Sequence, residues 1–333
     1  MKVSRLALSG LVFLALMFSV VAQAQTCYMA DDMDAATHTA LVNAGNKYWG
    51  MLSKGDAAGL KQNAIPGLAS DFSGIENVVR DNQANFAGAS ATARPPFQLK
   101  AEGTAPIARA EFLCGVFGKQ GQTADSAEFV IPNLPPGDYG LVIEDVTTAK
   151  ATYSVTFVLQ QMANDWKLGG LYVKNDQVAG HDGKWYADQA RAYKAKNQNH
   201  NAWFYYIQAR DLLVPVQFMY TQATDKIYDE SQAVKPADLP SSDNPVDLTF
   251  GGKTYKMIAL FPLAVGNELD LVVKYQATDI SDTGKTFAMN AEVMKALLAK
   301  YPEFRDAFGS VVARAVAPSG QDYGSMMAMK DIK

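Results

Sequence analysis

Cysteine and histidine are scarce, with two Cys and three His in 333 residues. That scarcity argues against zinc ribbons, iron–sulfur clusters and haem relays, which need several thiolate or imidazole ligands. Basic excess is missing too. Thirty Lys and Arg stand against 34 Asp and Glu, so nothing neutralises a phosphate backbone and nucleic acid is not an expected partner. No Gly-x-Gly occurs, and with it goes the dinucleotide fingerprint. Gly-x-Ser-x-Gly, Ser-x-x-Lys, His-Glu-x-x-His and Cys-x-x-Cys are also absent. Gly284-Lys285-Thr286 and Gly252-Lys253-Thr254 echo the end of a phosphate-binding loop. Asp279 and Asp247, however, stand where its first Gly belongs, so both read as ordinary turns. His38 stands at the start of the first helix and His181 and His200 are expected in loops, so no catalytic triad singles itself out. Neither a cofactor nor a metal is expected, and no catalytic residue is assigned.

What is present starts with an apolar fraction of 48%, too high for a disordered chain. Lys2 and Arg5 open the sequence, an apolar run follows from Leu6 to Val21, and Ala22-Gln23-Ala24 ends it in a small-x-small pattern. Residues 1–24 therefore read as a secretory signal peptide cleaved before Gln25. The run is short for a membrane span of roughly 20 residues. Thr26 and Ala24 fit the lipoprotein pattern poorly before Cys27. The expectation is an exported protein, periplasmic or extracellular, with no membrane span after cleavage. In that compartment Cys27 and Cys114 are expected to form one disulfide.

Periodicity divides the rest. Leu41, Ala44, Tyr48 and Leu52 place a helix over 37–54, with Gly55 as its stop. A second short helix is expected over 57–63, ended by Pro66, and helical spacing resumes from Leu68 to about Arg80. Residues 85–96 read as a loop. Strands follow at 97–101, 109–117, 127–131, 139–146, 153–162 and 166–174. The segment 37–174 resembles the NTF2-like (cystatin-type cone) superfamily. The resemblance rests on the helix junction Lys54-Gly55-Asp56-Ala57-Ala58-Gly59-Leu60. It rests equally on the closing hairpin Val155-Thr156-Phe157-Val158-Leu159 … Asp165-Trp166-Lys167-Leu168-Gly169-Gly170-Leu171. It implies helices wrapped by a curved antiparallel sheet around a pocket, with Trp49, Tyr139, Trp166 and Tyr172 as candidate lining residues. Residues 97–146 are longer than such a domain needs, so an insertion or a different sheet is expected there.

Residues 184–196 and 202–220 read as two helices. Ala190, Tyr193, Ala202, Tyr206, Ala209 and Pro215 resemble a single tetratricopeptide-type hairpin. One such repeat cannot bury its own face, so it must pack on a neighbour. Residues 246–250, 254–260 and 268–277 read as strands, 290–300 as a helix, 302–308 as a helical turn and 310–317 as a last strand. Met326, Met327 and Met329 read as a tail or as gap-fillers.

The fold class is α+β, divided into the leader 1–24, an N-terminal domain 25–178, a hairpin and linker 179–240, and a C-terminal α+β domain 241–333. Missing catalytic motifs and abundant aromatics point to a non-catalytic binding or accessory protein. Its ligand would be small and apolar or sugar-like, or it would meet a protein partner through the hairpin. The alternatives are a proton-transfer enzyme of isomerase or cyclase type, implied by the NTF2-like resemblance, and an envelope scaffold.

Overall fold

The computed structural model describes residues 25–117, 121–265 and 268–333, and the expected leader lies outside them. Among these residues the chain is α+β, and no helix is long and apolar enough to cross a membrane.

Strand β1 (Gln25–Tyr28) leads into α1 (Ala35–Leu52), which starts where Asp34 accepts the Thr37 N–H at 2.9 Å. Leu41, Tyr48 and Leu52 form its buried stripe. The short helix α2 (Ala57–Gln62) is capped by Asp56. Pro66 opens α3 (Pro66–Ser70) rather than only closing the helix before it, because the first helical position needs no N–H. Next, α4 (Ser73–Phe86) and β2 (Ser90–Ala93) take half of the segment read as a loop. Long-range pairing of β2 with residues 144–147 creates that strand, and its composition carries no sign of it.

The sheet strands are β3 (Phe97–Ala101), β4 (Ile107–Cys114), β5 (Ala127–Leu134), β6 (Gly137–Thr147), β7 (Thr152–Met162) and β8 (Asp165–Asn175). The first sheet runs β1-β3-β6-β7-β8, with β2 also paired to β6. The overlong stretch 97–146 contains a hairpin, β4–β5, that leaves this sheet for a second one. Both faces of the first sheet are therefore buried. Val142 and Val146 point to the α1–α4 layer, whereas Tyr139, Leu141 and Ile143 point to the β4–β5 layer. Cys27 on β1 and Cys114 on β4 form the expected disulfide, across a sequence separation of 87. It ties the sheet edge to the hairpin that has left it.

Beyond a two-stranded turn, β9 (Gln177–Val178) with β10 (His181–Asp182), come α5 (Gly183–Ala195) and α6 (Asn199–Leu213). The second helix was expected to reach Tyr220 and stops seven residues earlier. Pro215 forces the residue before it out of helical geometry, and Val214 sits at ψ 125°. Freed of the helix, β11 (Met219–Thr221) pairs with β5 and completes the second sheet. Helix α7 (Gln222–Gln232) follows, started by a reciprocal Thr221–Thr224 capping box.

The C-terminal sheet contains β12 (Val246–Phe250), β13 (Lys253–Val265), β14 (Glu268–Gln276), β15 (Ser310–Val316) and β16 (Asp322–Ala328), in that order. Helix α8 (Thr283–Lys300) bridges β14 to β15, the one parallel pair of this sheet. Gly284-Lys285-Thr286, expected as a turn, is the first turn of α8 behind the Asp282 cap. Met326 and Met327 belong to edge strand β16, not to a tail. The hairpin and this sheet share one core, in which Tyr186, Phe204 and Tyr205 meet Leu271, Phe304 and Val311. The neighbour that the hairpin requires is thus the C-terminal sheet.

A chain carrying C27S and C114S together is expected to lose about 2–4 kcal/mol of unfolding free energy. Urea denaturation measures it, and an unchanged midpoint would show that the link contributes nothing to stability.

Candidate functional site

Helix α6 carries an unbroken apolar run from Ala202 to Ile207, which spans more than one turn, so it must be surrounded. Its rings pack on α5, with Tyr205 at 4.9 Å from Tyr193 and 5.3 Å from Tyr186 between centroids. Tyr205 Oη donates to the Ala307 carbonyl at 2.5 Å, and Asn201 Nδ2 donates to the Glu303 carbonyl at 2.7 Å. His200 Nε2 lies 2.8 Å from Asp238 Oδ1. At the other end, Lys174 of β8 donates to the carbonyls of Asp211 and Val214, the latter at 2.9 Å, and so joins the N-terminal sheet to the helix.

One stripe near the end of α6 stays open. Ile207, Arg210 and Asp211 are spaced i, i+3, i+4 and share a face. Ile207 is 41% exposed. A groove of about 350 Å³ lies along this stripe, closed by α7 and the 214–220 segment. Trp203, Tyr206, Ile207, Arg210, Tyr220 and Tyr228 are its main walls. The Arg210 guanidinium carbon sits 5.2 Å from the Tyr228 ring centre and 5.7 Å from that of Tyr220. Its Nε is buried and has no hydrogen-bond partner. The acids around the groove are engaged elsewhere. Asp211 pairs with Lys174 at 3.4 Å, and Glu230 accepts two hydrogen bonds from Arg191 at 2.8 and 3.0 Å. Burial, together with Glu230, pushes the Tyr206 hydroxyl up to about 12, so it stays neutral at physiological pH.

The four aromatics singled out in the sequence do not share a pocket. Trp49 packs against Phe86 at 5.4 Å, and Trp166 is buried in the core between the helices and the first sheet. Tyr139 lies in the opposite layer, where its hydroxyl donates to the Pro135 carbonyl at 2.8 Å. Tyr172 is 44% exposed and meets Phe218 edge-on at 5.6 Å. It comes nearest the groove, because Gln217 and Met219, on either side of Phe218, both line it. The reading by aromatics alone missed Arg210, Tyr220 and Tyr228. The available signal was the stripe Ile207–Arg210–Asp211, which sets two charges on one face at the end of an aromatic-rich helix.

A second feature stands apart from the groove. Glu144 on β6 points toward α1 and is only 2% exposed. Its Oε1 has no hydrogen-bond partner. Gly45 of α1 makes this packing possible, since a Cβ there would lie 2.6 Å from Val142 Cγ1 and 3.2 Å from Glu144 Oε1. Burial, with the charge of Asp145 adding to it, pushes the Glu144 carboxyl up to about 7. Asp145 faces the other way and is held by Arg94 at 2.6 Å. Glu144 lines neither the α6–α7 groove nor a smaller cleft of about 170 Å³ beside Arg94 and Ile143. Among the described residues no cluster of three or more His, Cys, Asp or Glu side chains could hold a metal ion.

No family model, curated protein or solved structure matches this chain.

Glu144 gives stability a definite pH dependence. The folded state keeps its proton up to about pH 7, whereas the unfolded chain releases it near the ordinary value of 4.5. Its contribution is therefore full below that lower value and lost as pH rises toward 7, about 3 kcal/mol in all. The variant E144Q should flatten this decline relative to the native chain in denaturant melts at pH 4.5, 6 and 8. Parallel pH profiles for the two proteins would contradict it.

Proposed function

We propose that this is an exported binding protein whose α6–α7 groove takes a small ligand with an apolar or aromatic body. The observation that carries the reading is the groove itself, about 350 Å³ with four aromatic walls and a partly exposed Ile207. Aromatic-lined concavities of this kind hold flat or apolar ligands, with a few polar groups fixing their orientation. Export is supported by the leader pattern in residues 1–24 and by a disulfide of the kind an oxidising compartment maintains. The NTF2-like reading of residues 37–174 is supported by helices α1–α4 lying over an antiparallel sheet.

A proton-transfer enzyme is the second reading, and Glu144 is the observation that favours it. A buried carboxyl with its proton affinity raised toward neutrality is what a general base needs. What Glu144 lacks is a place in either of the clefts described above. The scaffold reading has less support, because the hairpin already buries its apolar face against the C-terminal sheet.

Titration of the protein with an aromatic fragment, followed by NMR of the four indole N–H signals, tests the binding reading. The Trp203 resonance should shift, and Tyr228→Ala should weaken the effect at least fivefold. Shifts confined to Trp49 and Trp166 would instead place the site in the N-terminal domain.

A further inference from the structure

We propose that the ligand of the α6–α7 groove carries a carboxylate and that Arg210 receives it, an inference that rests on the groove being the binding site. Arg210 supplies five N–H donors in a planar fork and keeps its charge at any physiological pH. Among the described residues it has no ion-pair partner, and its Nε is buried without an acceptor. Tyr220 and Tyr228 explain where the guanidinium lies, but their ring faces accept no strong hydrogen bond. The end of α6 favours a cation in its last turn and likewise leaves the fork unfilled.

The neighbouring charges sharpen the assignment. Asp211 is beside Arg210 in the chain and is held by Lys174 instead. Glu230 of α7 interacts with the groove-lining Tyr206 and is held by Arg191. The protein thus pairs the acids near this site and leaves its central cation open. One Arg between two aromatic rings matches a planar, singly charged acid with an apolar body. A phosphate monoester carries more charge and needs more donors than one fork offers. A volume of about 350 Å³ lies at the small end of ligand sites, which run from roughly 300 to 1,000 Å³. The fit is therefore to a small aromatic or alicyclic acid.

Isothermal titration of the full chain with phenylacetate and with its uncharged amide, phenylacetamide, tests this at neutral pH. The acid should bind about tenfold to a hundredfold more tightly than the amide, the difference expected of a charge-assisted contact. Arg210→Met should erase that preference, so that acid and amide bind this variant equally. Arg210→Lys, which keeps the charge and loses the fork, should retain only part of it. Equal binding of acid and amide to the native chain would overturn the carboxylate assignment and leave the groove standing. Failure of both probes to bind would overturn the groove reading and this inference with it. Tighter binding of phenyl phosphate than of phenylacetate would overturn the choice of acid.

Discussion

Helix α6 is buried along nearly all of its length, and the C-terminal half of the molecule is arranged around that constraint. A helix whose apolar run, Ala202–Ile207, goes more than once around its axis has to be enclosed. Here α5, the C-terminal sheet and the 302–308 segment enclose it, and Lys174 reaches it from the N-terminal sheet. Its conformation is fixed by hydrogen bonds from Asn201 and Tyr205 to backbone carbonyls about a hundred residues away. The stripe left open near its end is then held rigidly, and α7 stands beside it as the second wall of a groove. A binding surface gains from such rigidity because little ordering remains to be done when a ligand arrives.

The N-terminal domain solves a related problem differently. Its central strand β6 is apolar on both faces through Leu141, Val142 and Ile143, so one layer of cover is not enough. Helices α1–α4 cover one face and the β4–β5 hairpin covers the other, with the disulfide between β1 and β4 at the margin. Glu144 interrupts this apolar ladder on the helix side, and Gly45 is the residue that lets the helix pass over it. Strand β11, which follows α6, pairs with β5 and connects this layer to the groove.

Much of this was legible in the sequence. The strand Phe97–Ala101, the helix under Leu41, Tyr48 and Leu52, and the hairpin's need for a neighbour all follow from local pattern. What was not legible depends on distant pairing. Ser90–Ala93 and Met219–Thr221 are strands only because residues 144–147 and Ala127–Phe129 lie alongside them. Helix α7 escaped notice because it buries only Thr224, Ile227 and Ser231, a polar-looking stripe with one aliphatic member. The groove was hidden for the same reason. Its walls come from α6, from a strand misread as helix, and from a helix not read at all. The aromatic count pointed instead to Trp49, Tyr139, Trp166 and Tyr172, which the sheet divides between its two sides. Arg210 could have been noticed as the lone Lys or Arg of an aromatic-rich helix, but its missing partner is a fact of three dimensions.

The most direct measurement is native mass spectrometry of the protein secreted by an exporting host, beside the Arg210→Met variant made in the same way. The expected result is a mature chain beginning at Gln25 and carrying a small organic acid that the variant lacks. The same adduct on both proteins, or none on the native chain, would contradict a groove that holds its ligand through Arg210.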